Sequence, residues 1–311
     1  MFDFLQLFYG TVLLRPYVFA FLLVYLVAGS AHLGVKQTLL FTPLGYLVAW
    51  SSEFSSIHCG FPYGDYFYIP ETMGRELWVF GVPFMDSLSY VFLAYCSYSL
   101  AIFLLSPVLF TGGNVFVFET HSIRRSWKTL VMGSFLFVLL DIIIDPVSLQ
   151  GSRWFLGQIY GYRTAGTYFG IPMSNFAGWL VVGCAMIGAL QVLDRLMALK
   201  GKSTPPPLLH RIPYISVLGP ILYVSVLAFN LTITFGIGET FMGLVGCLIL
   251  FFPFLFAFMF TLYKQANLAP ECIQRHLEAF PLSGAIHLFS LPYKEMTSES
   301  HLPQLGGRLV H

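Results

Sequence analysis

The sequence predicts an all-α integral membrane protein: a bundle of about seven transmembrane helices with re-entrant or structured loops on the non-cytoplasmic side. Three observations predict it. Of 311 residues, 57% are hydrophobic and only 10% charged, against roughly 25% charged in a soluble domain. Mean hydropathy is +0.74. Apolar stretches of about 20 residues, the length that crosses the hydrocarbon, recur along the chain.

In order, the expected spans are residues 14–34, 36–54, 82–106, 127–146, 172–194, 212–234 and 240–263. Residues 1–12 either lie along the interface or extend the first span. No basic n-region precedes them, so no cleavable signal peptide is expected. The linker KGKSTPPPLLHR (200–211) is polar and proline-rich and reads as a loop. Residues 1–264 form a single membrane domain. Residues 265–311 are too polar to insert and read as a cytoplasmic tail, partly without fixed structure.

Seven spans put the termini on opposite sides. Arg15, Arg75, Arg153 and Arg163 fall on one side and the other twelve Lys and Arg on the opposite one. The positive-inside rule then places the N-terminus outside and the C-terminus in the cytoplasm, in the cell inner (plasma) membrane. Arg124, Arg125 and Lys128 read as cytoplasmic topology signals touching anionic lipid heads, and His32 and His121 as interfacial residues. A net charge of +1 offers nothing for nucleic acid. The five cysteines include no C-x-x-C pair and read as apolar fillers, so neither a disulfide framework nor a metal site is expected. The sequon Asn230-Leu231-Thr232 lies inside a span.

Ionisable residues within spans are costly and mark function. Here they converge. Glu53 and His58 end the second span, Asp86 opens the third, and Asp141 and Asp145 close the fourth. Asn175 opens the fifth and Glu239 the seventh. Alternating topology returns all seven to the non-cytoplasmic side. Asp141 stands out: from Lys128 to Asp145 it is the one other charge, about 20 Å along the helix from Lys128. Asp141 and Asp145, four residues apart, share a helical face. Two adjacent carboxylates in a low dielectric cannot both ionise without cost, and a carboxyl that keeps its proton is what an acid catalyst requires. The competing structural reading is that Asp145 ends the helix before Pro146 and Asp141 is paired.

A near-repeat supports the convergence. GVPFMDSLSY (81–90) and GIPMSNFAGW (170–179) share G-[VI]-P, Asp or Asn five residues after the Gly, and an aromatic four further on. Asp86 with Tyr90, and Asn175 with Trp179, each share a helical face. The motif is either a duplicated helix start or two ordinary ones. Aromatics are dense at Tyr63, Tyr66, Phe67 and Tyr68, and again at Tyr160, Tyr162, Tyr168 and Phe169. They suit an interfacial belt and equally a pocket that stabilises developing positive charge.

Four stretches carry a resemblance: SSEFSSIHCGFPYGDYFY (51–68), GVPFMDSLSYVFLAY (81–95), LDIIIDPV (140–147) and YFGIPMSNFAGWLVVG (168–183). In order, spacing and polar content the chain resembles the CruF-type carotenoid biosynthesis proteins, membrane carotenoid 1,2-hydratases that include bisanhydrobacterioruberin hydratases. The resemblance covers residues 45–195; the final third matches only as generic apolar spans. Cys59 stands where relatives are expected to carry a small residue or Thr.

The resemblance implies addition of water across the terminal C-1,2 double bond of an acyclic carotenoid, a lycopene-, γ-carotene- or bacterioruberin-precursor-like polyene taken from the lipid phase, with no redox cofactor. The chemistry then suggests roles. Asp141 would be the acid, sharing its proton with Asp145. Glu53 or His58 would activate water, and Asp86 and Asn175 would bind that water or tune the acid. Tyr63, Tyr66 and Tyr90, beside Trp179, would line the end-group pocket. An end-group cyclase or isomerase would use the same protonation. A carrier would instead show inverted repeats, which the like-oriented G-x-P motifs do not suggest.

Overall fold

The structure, a computed structural model, describes residues 2–111, 114–153, 157–199 and 214–280. Among the described residues ten α-helices run in the order α1 (Phe2–Leu14), α2 (Pro16–His32), α3 (Val35–Cys59), α4 (Phe84–Leu105), α5 (His121–Arg124), α6 (Trp127–Ser148), α7 (Met173–Leu199), α8 (Leu218–Gly236), α9 (Thr240–Ala266) and α10 (Pro270–Ala279). Five of them (α4, α6, α7, α9, and α8 with the turn Ile215–Val217 before it) are long and apolar enough to cross a membrane. A sixth span results if Phe4–Leu14 and Pro16–His32, bent by 90°, count as one. Those helices mark a membrane protein. The expected count of seven rests on α3. Its 25 residues would reach about 37 Å, but Gln37, Glu53, His58 and four serines make it too polar to stand among the apolar spans.

The bend between α1 and α2 has a local cause. Pro16, at the first position of α2, breaks the helix but suits a helix start. Arg15 beside it turns inward and pairs both guanidinium edges with Glu76, Nε to Oε2 at 3.0 Å and Nη2 to Oε1 at 2.9 Å. Thr11 Oγ1 accepts from Leu77 N at 2.8 Å. Thus α1 is tied to the α3–α4 loop rather than extending the first span.

Helix α4 is the most buried span and packs against α2, α3, α6, α7 and α8. Its last carbonyls, from Phe103, Leu104 and Ser106, accept from Lys264 Nζ at 2.8–2.9 Å, a cation at a helix C-terminus. Helix α6 starts on a Ser126 side chain that accepts from Thr129 N at 3.1 Å, a hydroxyl N-cap.

The loops at the two ends differ. At one end, β1 (Tyr66–Tyr68) from the α3–α4 loop pairs antiparallel with β6 (Tyr160–Tyr162) from the α6–α7 loop, with Phe67 opposite Gly161. Strands β2 (Trp78–Val79) and β3 (Val82–Pro83) form a short hairpin leading into α4. At the other end, β4 (Val108–Thr111) pairs with β5 (Asn114–Val117).

That second end holds a buried ion network absent from the sequence-based expectation. Arg124 and Arg125 pair with acidic side chains of the protein. Arg124 is buried, pairing with Glu119 at 2.5 Å and Asp194 at 3.5 Å, and Arg125 Nε reaches Asp194 at 2.5 Å. His32 Nε2 sits 3.0 Å from Glu119, so His32 is buried rather than interfacial. The start of the predicted tail is ordered here. Helix α10 places His276 Nδ1 2.6 Å from the Glu119 carbonyl, and the Phe280 ring lies 4.8 Å from the Arg124 guanidinium carbon. The rest of the tail, and the linker at 200–211, lie outside the described residues.

Candidate active site

The near-repeat is a repeat in three dimensions. Phe80 and Gly81 take φ of 50° and 81°, and Phe169 and Gly170 take 50° and 87°. A phenylalanine in the left-handed region is unusual, and both copies adopt it just before the G-x-P. Each copy then starts a helix, α4 or α7. The aromatics four residues past Asp86 and Asn175 meet: Tyr90 and Trp179 stack at 4.6 Å with 18° between planes. The unit α3–β1–α4 therefore faces the like-ordered unit α6–β6–α7, and the β1–β6 pair closes the two over one another.

Each unit contributes carboxyl groups. In the first, Glu53 of α3 is buried and accepts a short hydrogen bond from Ser87 Oγ of α4. Asp86 accepts from Tyr68 Oη at 2.6 Å. In the second, the Asn175 amide bridges both α6 carboxyls, reaching Asp141 Oδ2 at 2.7 Å and Asp145 Oδ2 at 3.0 Å. Tyr160 and Tyr162 donate to the two oxygens of Asp145 at 2.5 and 2.6 Å. Asp141 Oδ1 is buried without a hydrogen-bond partner. Among the described residues, none of these four carboxyls takes part in an ion pair. Burial holds the Tyr68 and Tyr160 hydroxyls well above the usual phenol range, and the neighbouring Asp86 and Asp145 add to it, so both remain donors.

The two units, together with α2 and α8, line a cavity of about 120 Å³. Its polar wall carries Glu53, Asp86, Asp145 and Asn175; Tyr63, Tyr66, Tyr90 and Trp179 line it as well. Tyr63 is fixed by Ser52 Oγ, 2.9 Å from its hydroxyl, and by Ser56 Oγ, which accepts from its amide at 2.9 Å. Gly178 on α7 leaves room for this loop: a Cβ there would lie 2.7 Å from the Pro62 carbonyl oxygen.

Three expectations are corrected. His58 is exposed, its Nδ1 2.7 Å from the Phe54 carbonyl, and it does not line the cavity. Five residues separate it from Glu53, about 140° around the helix, so the two cannot share a face. Glu239 lies outside the cluster, paired with Arg153. Asp141 is in the cluster but does not line the cavity; it stands behind Asp145 and Asn175. Sequence reading also missed the donors. Tyr68, Tyr160 and Tyr162 were legible only as aromatic density, although the alternation Y-x-Y in both strands sets tyrosines on one face of each.

Residues 10–253 match a family described as carotenoid biosynthesis protein. No curated protein and no solved structure matches the chain.

Proposed function

The chain belongs to the carotenoid biosynthesis protein family, and from that premise we propose that it is a carotenoid hydratase, adding water across the terminal C-1,2 double bond of an acyclic end group. One observation carries the reading: Glu53, Asp86 and Asp145, from three helices, line one aromatic cavity closed over by tyrosines. A trisubstituted alkene is a poor base. A positioned carboxylic acid gives its proton to C-2, and the π electrons of the double bond form the new C–H bond. C-1 is left as a tertiary cation, which the faces of Tyr90, Trp179 and Tyr63 stabilise. Water attacks C-1, and a carboxylate on the opposite wall takes the proton the water loses. The net change is one water added, with a tertiary alcohol as product and no redox step.

The Asp141–Asp145 pair supplies the acid, with Asp145 the member that reaches the cavity and Asp141 replenishing its proton through their shared site. Glu53, with Asp86 beside it, orients and deprotonates the water. Asn175 holds the acid pair in register. The acid end lies on the non-cytoplasmic side of the inner membrane, with the substrate drawn from the lipid phase.

Expression in a bacterium that accumulates lycopene or γ-carotene tests this. The expected product gains the mass of one water and a hydroxyl group. The same cavity would also serve an end-group cyclase or isomerase, because its aromatic faces suit any cation. Those reactions leave the mass unchanged, so an isomeric product of equal mass replaces the hydratase reading with that one.

A further inference from the structure

The acid cavity is too small for its substrate. At about 120 Å³ it falls below the roughly 300–1,000 Å³ that encloses a drug-sized ligand, and a carotenoid is longer still. One end group fits, so the polyene must leave through a wall. Three walls are closed. The β1–β6 pair covers the loop end. Helix α4 fills the centre of the bundle, and the Tyr90–Trp179 stack seals the α4–α7 side.

The remaining wall runs along α2 and α8. It is built from Tyr17, Val18, Phe21, Val226, Phe229 and Asn230, with no charged group among them. Here Phe229 of α8 lies flat against Tyr17 of α2, 5.3 Å between centroids at 17°, and edge-on to Phe21 at 5.7 Å and 82°. All three rings line the cavity yet are only half-buried. The flanking α2 and α8 residues Leu23, Val24, Ile221 and Val224 are exposed, so this seam faces lipid. These ring contacts across it can slide apart without breaking a backbone hydrogen bond.

We infer that the Tyr17–Phe21–Phe229 seam between α2 and α8 is the lateral portal and binding subsite for the polyene chain of the substrate. The chain threads between the helices with its end group at the carboxyls and the remainder in the bilayer. This rests on the hydratase reading for the identity of the substrate. It adds that Phe229 selects for a slim, extended conjugated chain, and that the two ends of one molecule are processed in separate binding events.

The test uses the full chain reconstituted in phospholipid vesicles with two substrates: a long acyclic polyene, and a short acyclic isoprenoid alkene bearing the same terminus and small enough to sit wholly inside. Phe229→Trp narrows the seam. Conversion of the polyene is expected to fall about 10-fold further than conversion of the short alkene, the ratio of the two rates being the readout. Equal losses on both substrates, or no loss on the polyene, would overturn the portal.

A second arm is independent of catalysis. Phe229→Cys is treated with a lipid-soluble maleimide and its peptide mapped. The polyene is expected to protect Cys at this position and the short alkene to leave it reactive; absence of protection by the polyene overturns the portal. If wild-type protein converts neither substrate while the polyene still protects, the hydratase reading fails and the portal stands.

Discussion

At the scale of single residues, the second unit's geometry makes sharp demands. Asp145 is the carboxyl that reaches the cavity, and three donors hold it. Asp145→Asn and Asp141→Asn should each lower product by about 100-fold or more at unchanged protein level, measured by carotenoid analysis with an immunoblot control. Unchanged yield from both variants would remove the pair from the chemistry. Tyr160→Phe keeps the ring and deletes one donor to Asp145. A loss of about 10-fold is expected, whereas His58→Ala should stay near wild type.

Sequence and structure part company here for a physical reason. Asp141 and Asp145 were legible because a charge in an apolar run has no bland explanation and a spacing of four fixes a shared face. His58 was misjudged because proximity in sequence stood in for helical phase. The tyrosine donors were out of reach because Tyr66 and Tyr162, 96 residues apart in sequence, pair only through tertiary structure.

At the scale of elements, the duplicated F-G-[VI]-P start is what places two carboxyl-bearing helix pairs face to face. Its G-x-P motif could be read along the chain. That its two aromatics stack on one another could not, since no local rule brings Tyr90 to Trp179. The apolar spans were equally legible, but α3 blurs the count, because the polar residues that give it a role in the site also dilute its hydropathy.

The link from α1 to the α3–α4 loop rests on one buried pair. Arg15→Met strands the Glu76 carboxylate without its partner, and about 3–5 kcal/mol of stability should be lost. Adding Glu76→Gln should restore much of it. Thermal unfolding in detergent checks both; an Arg15→Met protein as stable as wild type would contradict the pairing.

At the scale of the whole molecule, the two ends of the bundle carry different kinds of polar cluster. One is a set of carboxyls around a cavity that, among the described residues, form no ion pairs. The other is an ion-paired network, in which Glu119, Arg124, His32, His121 and Asp194 lie around the seat of α10. Burial pushes the Glu119 carboxyl upward, but the Arg124 charge beside it and the hydrogen bonds with His32 and Arg124 outweigh burial and hold it well below its ordinary 4.5. Burial also lowers His276 from 6.5.

Only the His276 shift bears on docking, because Arg124 and His32 stay beside Glu119 whether or not α10 is seated. A depressed pKa in the docked state means fewer protons bound there, so docking is intact above the ordinary value and weakens as pH falls through it. Protease cleavage in the α9–α10 link, at residues 267–269, should therefore rise below about pH 6.5. Cleavage that rises with increasing pH would contradict the network.

That α10 docks at all was hidden in the sequence, because a short polar helix reads as tail until its partner is known. The carboxyl cluster at one end of the bundle was legible from the alternating spans, while the buried ion network at the other end was not.

The most direct measurement is of the oxygen in the product. Purified protein in vesicles, given an acyclic carotenoid in water labelled in its oxygen, should yield a tertiary alcohol carrying one labelled oxygen at C-1, with Asp145→Asn yielding none. A product of unchanged mass, or an alcohol whose oxygen is unlabelled, would contradict hydration at this site.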